Sequence, residues 1–198
     1  MKIAKIVSSN SHIDYVGRII DELDVAKPPS PEDYGFARFV VIPLQKDLKI
    51  FGVIYNSMLM NPDYANYGPR LSSTAELEGF SPDFINEQGS LIGILLLGSE
   101  DNSENVSQKI PERIIPAGQE IYAAEVEDVK KFHTDENGEL QIHYYSQIIV
   151  HAGSFGISLL ESIIEWFEQN DCSENDLKRL NILKQTLSWQ RTMGAMRL

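Results

Sequence analysis

The sequence predicts an α+β protein: a small closed or partly open β-barrel of about seven strands, followed by a C-terminal α-helical unit. Three observations predict it. The first half consists of short runs rich in Ile, Val, Phe and Tyr, separated by Asp, Pro, Ser and Gly, a pattern of barrels and sandwiches rather than of βαβ units. Beyond about residue 140 the apolar period shifts to that of helices. The chain has 198 residues, 42% of them hydrophobic, enough for one good core.

The elements follow in order. IAKIV (3–7), YVGRII (15–20), ARFVVIPL (37–44) and KIFGVIYNS (49–57) read as strands. Residues 58–90 break this rhythm and are long for a plain connection. Within them Ser72 or Ser73 is placed to cap TAELE, and Ser81-Pro82 to start a turn of helix before DFINEQ. SLIGILLLGS (90–99) is the next strand, and polar EDNSENVSQ a loop. KIPERIIPAGQEIYAAE (109–125) reads as two short extended pieces around a Pro-Ala-Gly turn. EVEDVKKFH (125–133) is expected to be a short helix, its acids first and its lysines last, as the macrodipole favours.

LQIHYYSQIIVHAG (140–153) carries both strand-like composition and helical spacing, and the spacing favours helix. FGISLLESIIEWFEQN puts Phe155, Leu159, Ile163 and Phe167 on one stripe with Leu160 and Ile164 beside it. SENDLKRLNILKQTLSWQ repeats the pattern at Leu177, Leu180, Leu183 or Lys184, and Leu187, and Ser173 with Asp176 resembles a capping box. These two helices are expected to form an antiparallel hairpin joined at 170–172. The domain boundary falls between a 1–133 barrel, with its 58–90 excursion, and a 134–198 helical region.

The order of the strands has a familiar form. VGRIID (16–21), FVVIPL (39–44) and IFGVIYNS (50–57) resemble the HAS-barrel, the small barrel shared by HerA-type DNA-translocating ATPases and rotary ATP synthase subunits. IGILLLG (92–98) is similar to the family strand with an internal glycine. IPERIIPAGQEIYAAEVEDVKKF (110–132), with Pro116, Gly118, Ile121 and Tyr122, is similar to its closing strand and acidic short helix. The resemblance covers 1–133. It implies a non-catalytic barrel that packs against neighbours in a ring, ahead of a nucleotide-hydrolysing domain. Here only 134–198 follow, too few for such a domain, so the resemblance implies a standalone barrel that assembles with itself or docks on a partner protein such as a DNA-processing ATPase or nuclease.

Charge and composition narrow the function classes. The formal net charge of −12 repels phosphate backbones and disfavours direct nucleic-acid binding. Residues 177–198 run the other way, with Lys178, Arg179, Lys184, Arg191 and Arg197 and no acid. They read as a solvated helix face, with a docking surface for an acidic partner as the alternative. A single cysteine, Cys172, excludes an intrachain disulfide. The start MKIAKIVSSNS lacks a long apolar stretch and LIGILLLG is too short to span a bilayer. A soluble cytoplasmic protein is expected.

No catalytic constellation emerges. HAGSFGIS (151–158) approaches a P-loop, but His151 replaces the first glycine and Ile157 the lysine. It is read as a corner between helices, with Gly153 in a left-handed conformation and Ser154 capping the next helix. A small-molecule or nucleotide site at this turn is the alternative. His133, His143 and His151 lack metal-site spacing and are expected to be isolated at the surface or a boundary. Cys172 sits among acids that disfavour a thiolate. Adjacent carboxylates such as Asp21-Glu22 and Glu127-Asp128 point apart. No catalytic residue, cofactor or metal is expected. The best functional candidates are Tyr64, Tyr67, Arg70, Phe80 and Phe84 in the 58–90 excursion, because aromatic residues and arginine are enriched at interface hot spots.

Overall fold

The computed structural model describes residues 1–44, 48–60, 89–170 and 173–195. Seven strands form one antiparallel sheet: β1 (Lys2–Ser9), β2 (Asp14–Ile19), β3 (Phe39–Leu44), β4 (Leu48–Met60), β5 (Gly89–Asp101), β6 (Val106–Ser107) and β7 (Glu120–Ala123). The order is β2-β1-β7-β3-β4-β5-β6, and β2 also pairs with β5. That last pairing, from Asp14↔Leu95 to Arg18↔Leu91, closes a six-stranded barrel and leaves β6 as an extra strand on β5. Among the described residues four α-helices follow: α1 (Val126–Phe132), α2 (Tyr145–His151), α3 (Gly156–Gln169) and α4 (Glu174–Ala195). The expected barrel and C-terminal helices are both present.

The strands form where apolar runs are densest. Residues 92–97 of β5 are buried without alternation, the signature of a strand covered on both faces. One face of the barrel wall looks into its interior, where Ile121 from β7 reaches toward Gly17 on the non-adjacent β2. A Cβ on Gly17 would stand 2.6 Å from the Ile121 Cδ1. The helices cover the outside, and one contiguous apolar cluster runs from Ile3 through Leu97 to Leu160 and Leu187.

β6 lies in the segment read as a plain polar loop. It can approach β5 only because residue 98 is glycine: a Cβ there would fall 2.1 Å from the Ser107 carbonyl and 2.9 Å from the Phe132 ring. Of the two extended pieces expected in 109–125, only Glu120–Ala123 is a strand. Residues 109–119 instead cross as a loop pinned from outside. Tyr15 accepts from the Ile115 N–H at 3.2 Å, and His12 Nε2 donates to the Pro111 carbonyl at 2.7 Å. Pro111 and Pro116 have no N–H to offer a ladder.

The helical half differs from expectation at three points. α2 begins at Tyr145, not 140, because Leu140 pairs with Thr134 and the Gln141 N–H bonds the His133 carbonyl. Gly153 takes φ +56, as a left-handed break should, but Ser154 caps nothing. It sits in a 3-10 turn, Gly153–Phe155, and α3 begins at Gly156 without a side-chain cap. Phe155 therefore stands before the helix and is 45% exposed, outside the buried stripe of Leu159, Leu160, Ile163, Ile164 and Phe167. At Ser173 the expected cap is present: the Asp176 N–H donates to its hydroxyl at 3.2 Å, and that hydroxyl donates to the Asp176 carboxylate at 2.6 Å. α3 and α4 run antiparallel, as the pairs Lys184–Glu168 and Arg191–Glu161 show.

Candidate functional site

Two aromatic clusters differ in what they leave available. The first is sealed. His133 ends α1 and is 1% exposed, not the surface histidine its sequence context suggests. Phe39, Phe132, Tyr144 and Phe167 surround its ring at centroid distances of 4.7–5.5 Å. Its Nδ1 lies 2.7 Å from the Val129 carbonyl and its Nε2 2.7 Å from the Tyr144 hydroxyl. A carbonyl only accepts, so Nδ1 carries the proton and Nε2 accepts from Tyr144. Burial outweighs the Val129 bond and pushes the imidazole down to about 4, while burial pushes the Tyr144 hydroxyl up. Beside it Gln108 is wholly committed: its amide N–H groups reach the Phe132 and Gln141 carbonyls, and its Oε1 accepts from the His143 N–H. This cluster holds the structure together and offers nothing to a substrate.

A cavity of about 1150 Å³ opens over the same region beside β6 and residues 131–143. Several of its polar groups are bonded to the protein, while Gln147 Oε1 is buried without a partner among the described residues. Lys131 pairs with Glu100 at 2.8 Å and Glu104 at 3.0 Å. Asp135 accepts the Asn137 and Glu139 N–H groups, which hold its carboxyl below the ordinary range. Among the described residues no three metal-ligating side chains converge anywhere.

The second cluster is open. β3 covers β4 only as far as Phe39↔Val53, and Ala37 and Arg38 add main-chain bonds to Ile54. Ala37 then turns at φ +64, and the preceding chain swings away from β4. A groove of about 390 Å³ is left between 31–36 on one side and 54–59 on the other, with 90–92 and Phe155 completing it. The 31–36 wall is braced. Asp33 accepts from the Ser30 hydroxyl and N–H, both at 2.8 Å, bonds that lower its carboxyl. Arg38 Nε donates to the Glu32 carbonyl at 2.9 Å. Tyr55 lines the inner end, where burial and then the neighbouring Asp14 push its hydroxyl up to about 12, so it stays protonated.

Large apolar side chains surround this groove in contact with solvent. Phe36 and Phe155 are each 45% exposed with ring centroids 6.1 Å apart, and Leu59 is 86% exposed. The 151–158 turn thus supplies an aromatic ring to a groove; no cradle of glycine N–H groups forms before a helix. Elsewhere, Ile182 and Trp189 are exposed on α4.

Tyr64, Tyr67, Arg70, Phe80 and Phe84 lie outside the described residues, as do Cys172 and the caps read at Ser72, Ser73 and Ser81. The basic helix is largely internally paired: Arg179 with Glu139 at 2.7 Å, Lys184 with Glu168 at 2.6 Å, and Arg191 with Glu161. Among the described residues no helix is long and apolar enough to cross a membrane.

Residues 1–197 match the Domain of unknown function DUF8166, and the chain belongs to that family. No curated protein matches it.

Proposed function

We propose that this member of a domain family of unknown function is a protein-docking module, whose barrel is a scaffold and whose contact surface is the groove between 31–36 and 54–59. One observation carries the reading: Phe36 and Phe155, distant in sequence, are held side by side and half exposed at a braced apolar groove. Half-exposed aromatic rings around a preformed apolar hollow are the composition of interface hot spots. The buried polar atoms of His133, Tyr144 and Gln108 bond to the protein itself. The HAS-barrel resemblance adds a reason to seek the partner among DNA-processing ATPases and nucleases, because barrels of that kind pack against neighbours.

A photo-reactive phenylalanine analogue at position 155 of the full chain tests this in cells. A discrete adduct with another polypeptide is expected, absent when the same probe replaces the 70%-exposed Val150. Equal labelling from both positions, or none from 155, rejects the groove as a docking surface.

A further inference from the structure

We propose that the groove takes an extended polypeptide segment, which adds to the outer edge of β4 as another strand. This rests on the docking reading and specifies the partner's conformation and chemistry. The main chain carries the argument. β4 pairs with β5 along its whole length, from Leu48↔Asp101 to Met60↔Gly89. On its other side β3 and residues 37–38 cover it as far as Ile54. Past the bulge at Tyr55, no described residue pairs with the outer edge of 56–60. A row of open N–H and C=O groups is a template for a further strand.

The two edges of this ribbon are treated differently. The β5 edge is guarded by Arg18, whose Nε lies 3.1 Å from where a Gly89 Cβ would stand and whose guanidinium is tied to Asp21 at 2.8 Å and Asp24 at 3.1 Å. The β4 edge, IYNSMLM over 54–60, has no charge and no proline, the devices by which natural edges repel a newcomer. The groove takes in 54–59 of this strand together with 90–92 of β5 and Ile19 of β2, and Tyr34, Phe36 and Phe155 line it. They offer an apolar seat to every second side chain of an added strand. The chain's charge of −12 repels a second copy. The occupant is therefore a segment of another protein, neutral to basic, with apolar residues at alternate positions.

The probe is a set of 12-residue peptides selected from a displayed random library on the full chain and counter-selected on the Phe36→Ala/Phe155→Ala variant. Backbone N-methylation is then walked along the best binder. Strand addition predicts that alternate positions lose about tenfold or more in affinity while those between are unaffected. It also predicts that Leu59→Lys weakens every binder and that bound peptide slows amide exchange over 56–60. A loss recurring every three or four residues, or no periodicity, overturns the strand and leaves docking standing. Failure to recover any peptide that depends on Phe36 and Phe155 overturns both. Slow exchange at those amides of 56–60 that face away from β5 in the chain alone, or protection there that rises with its concentration, means the chain or a second copy already covers the edge, and also overturns the proposal.

Discussion

Phe39 and Phe36 are three residues apart and meet opposite fates. Phe39 enters the sealed cluster around His133 and is 5% exposed; Phe36 stands at the groove and is 45% exposed. α3 repeats the contrast, with Phe167 buried at one end and Phe155 exposed just before the other. The chain separates what stabilises it from what it presents. In the sealed cluster the polar atoms of His133, Tyr144 and Gln108 are all hydrogen-bonded, while the groove combines a braced wall with exposed rings and a strand edge that no described residue pairs.

The largest expected effect comes from opening the sealed side. Phe132 stacks on Phe51 at 4.3 Å and is 1% exposed, so Phe132→Ala is expected to cost about 3–5 kcal/mol. Urea unfolding measures it, and a cost under about 1 kcal/mol would mean that the aromatic cluster is not the centre of stability. A somewhat smaller effect should appear with pH. The folded His133 titrates at about 4 against 6.5 for an ordinary imidazole. Between these values the unfolded chain binds the proton and the folded one does not. The contribution is thus complete above pH 6.5, is lost as pH falls toward 4 and is constant below that. It is on the order of 3 kcal/mol. Unfolding midpoints at pH 7 and pH 4.5 should show the loss, and His133→Leu should flatten it. The smallest effect belongs to the groove. Phe36→Ala and Phe155→Ala should each change stability by no more than about 0.5 kcal/mol, although they remove partner contacts. A large drop in melting temperature would place these rings in the core and remove the contrast.

What was legible in the sequence was whatever one window of residues decides. LIGILLL announces a strand, and Glu127, Asp128, Lys130 and Lys131 announce α1. β6 was not legible: two residues in a polar loop become a strand because Gly98, nine positions before Ser107, lets the backbones approach. Helical spacing from 140 overran the true start of α2 because it ignores what Thr134, His133 and Gln108 do to 140–143. His133 looked like a boundary residue; its place between Val129 and Tyr144 is a tertiary fact. The groove escaped for the same reason. Phe36, Leu59 and Phe155 belong to no common motif, and Phe155 fell on the predicted core stripe because one residue of helix start decides whether a ring points in or out. The 58–90 excursion drew the functional reading instead.

The pairing of β1 with β7 also has a consequence in time. Lys2 bonds Glu120 at 3.1 Å across 118 positions, and the Met1 carbonyl accepts from the Ala123 N–H. At a synthesis rate of 5–20 residues per second, that partner follows the first strand by roughly 6 to 24 s. During this interval β2 can pair with β1 and, once 89–101 has been made, with β5, but the β1–β7 seam stays open and the ring cannot close. A nascent chain therefore carries an open seam, and the speed of elongation, as much as its stability, sets how long other strands can enter it.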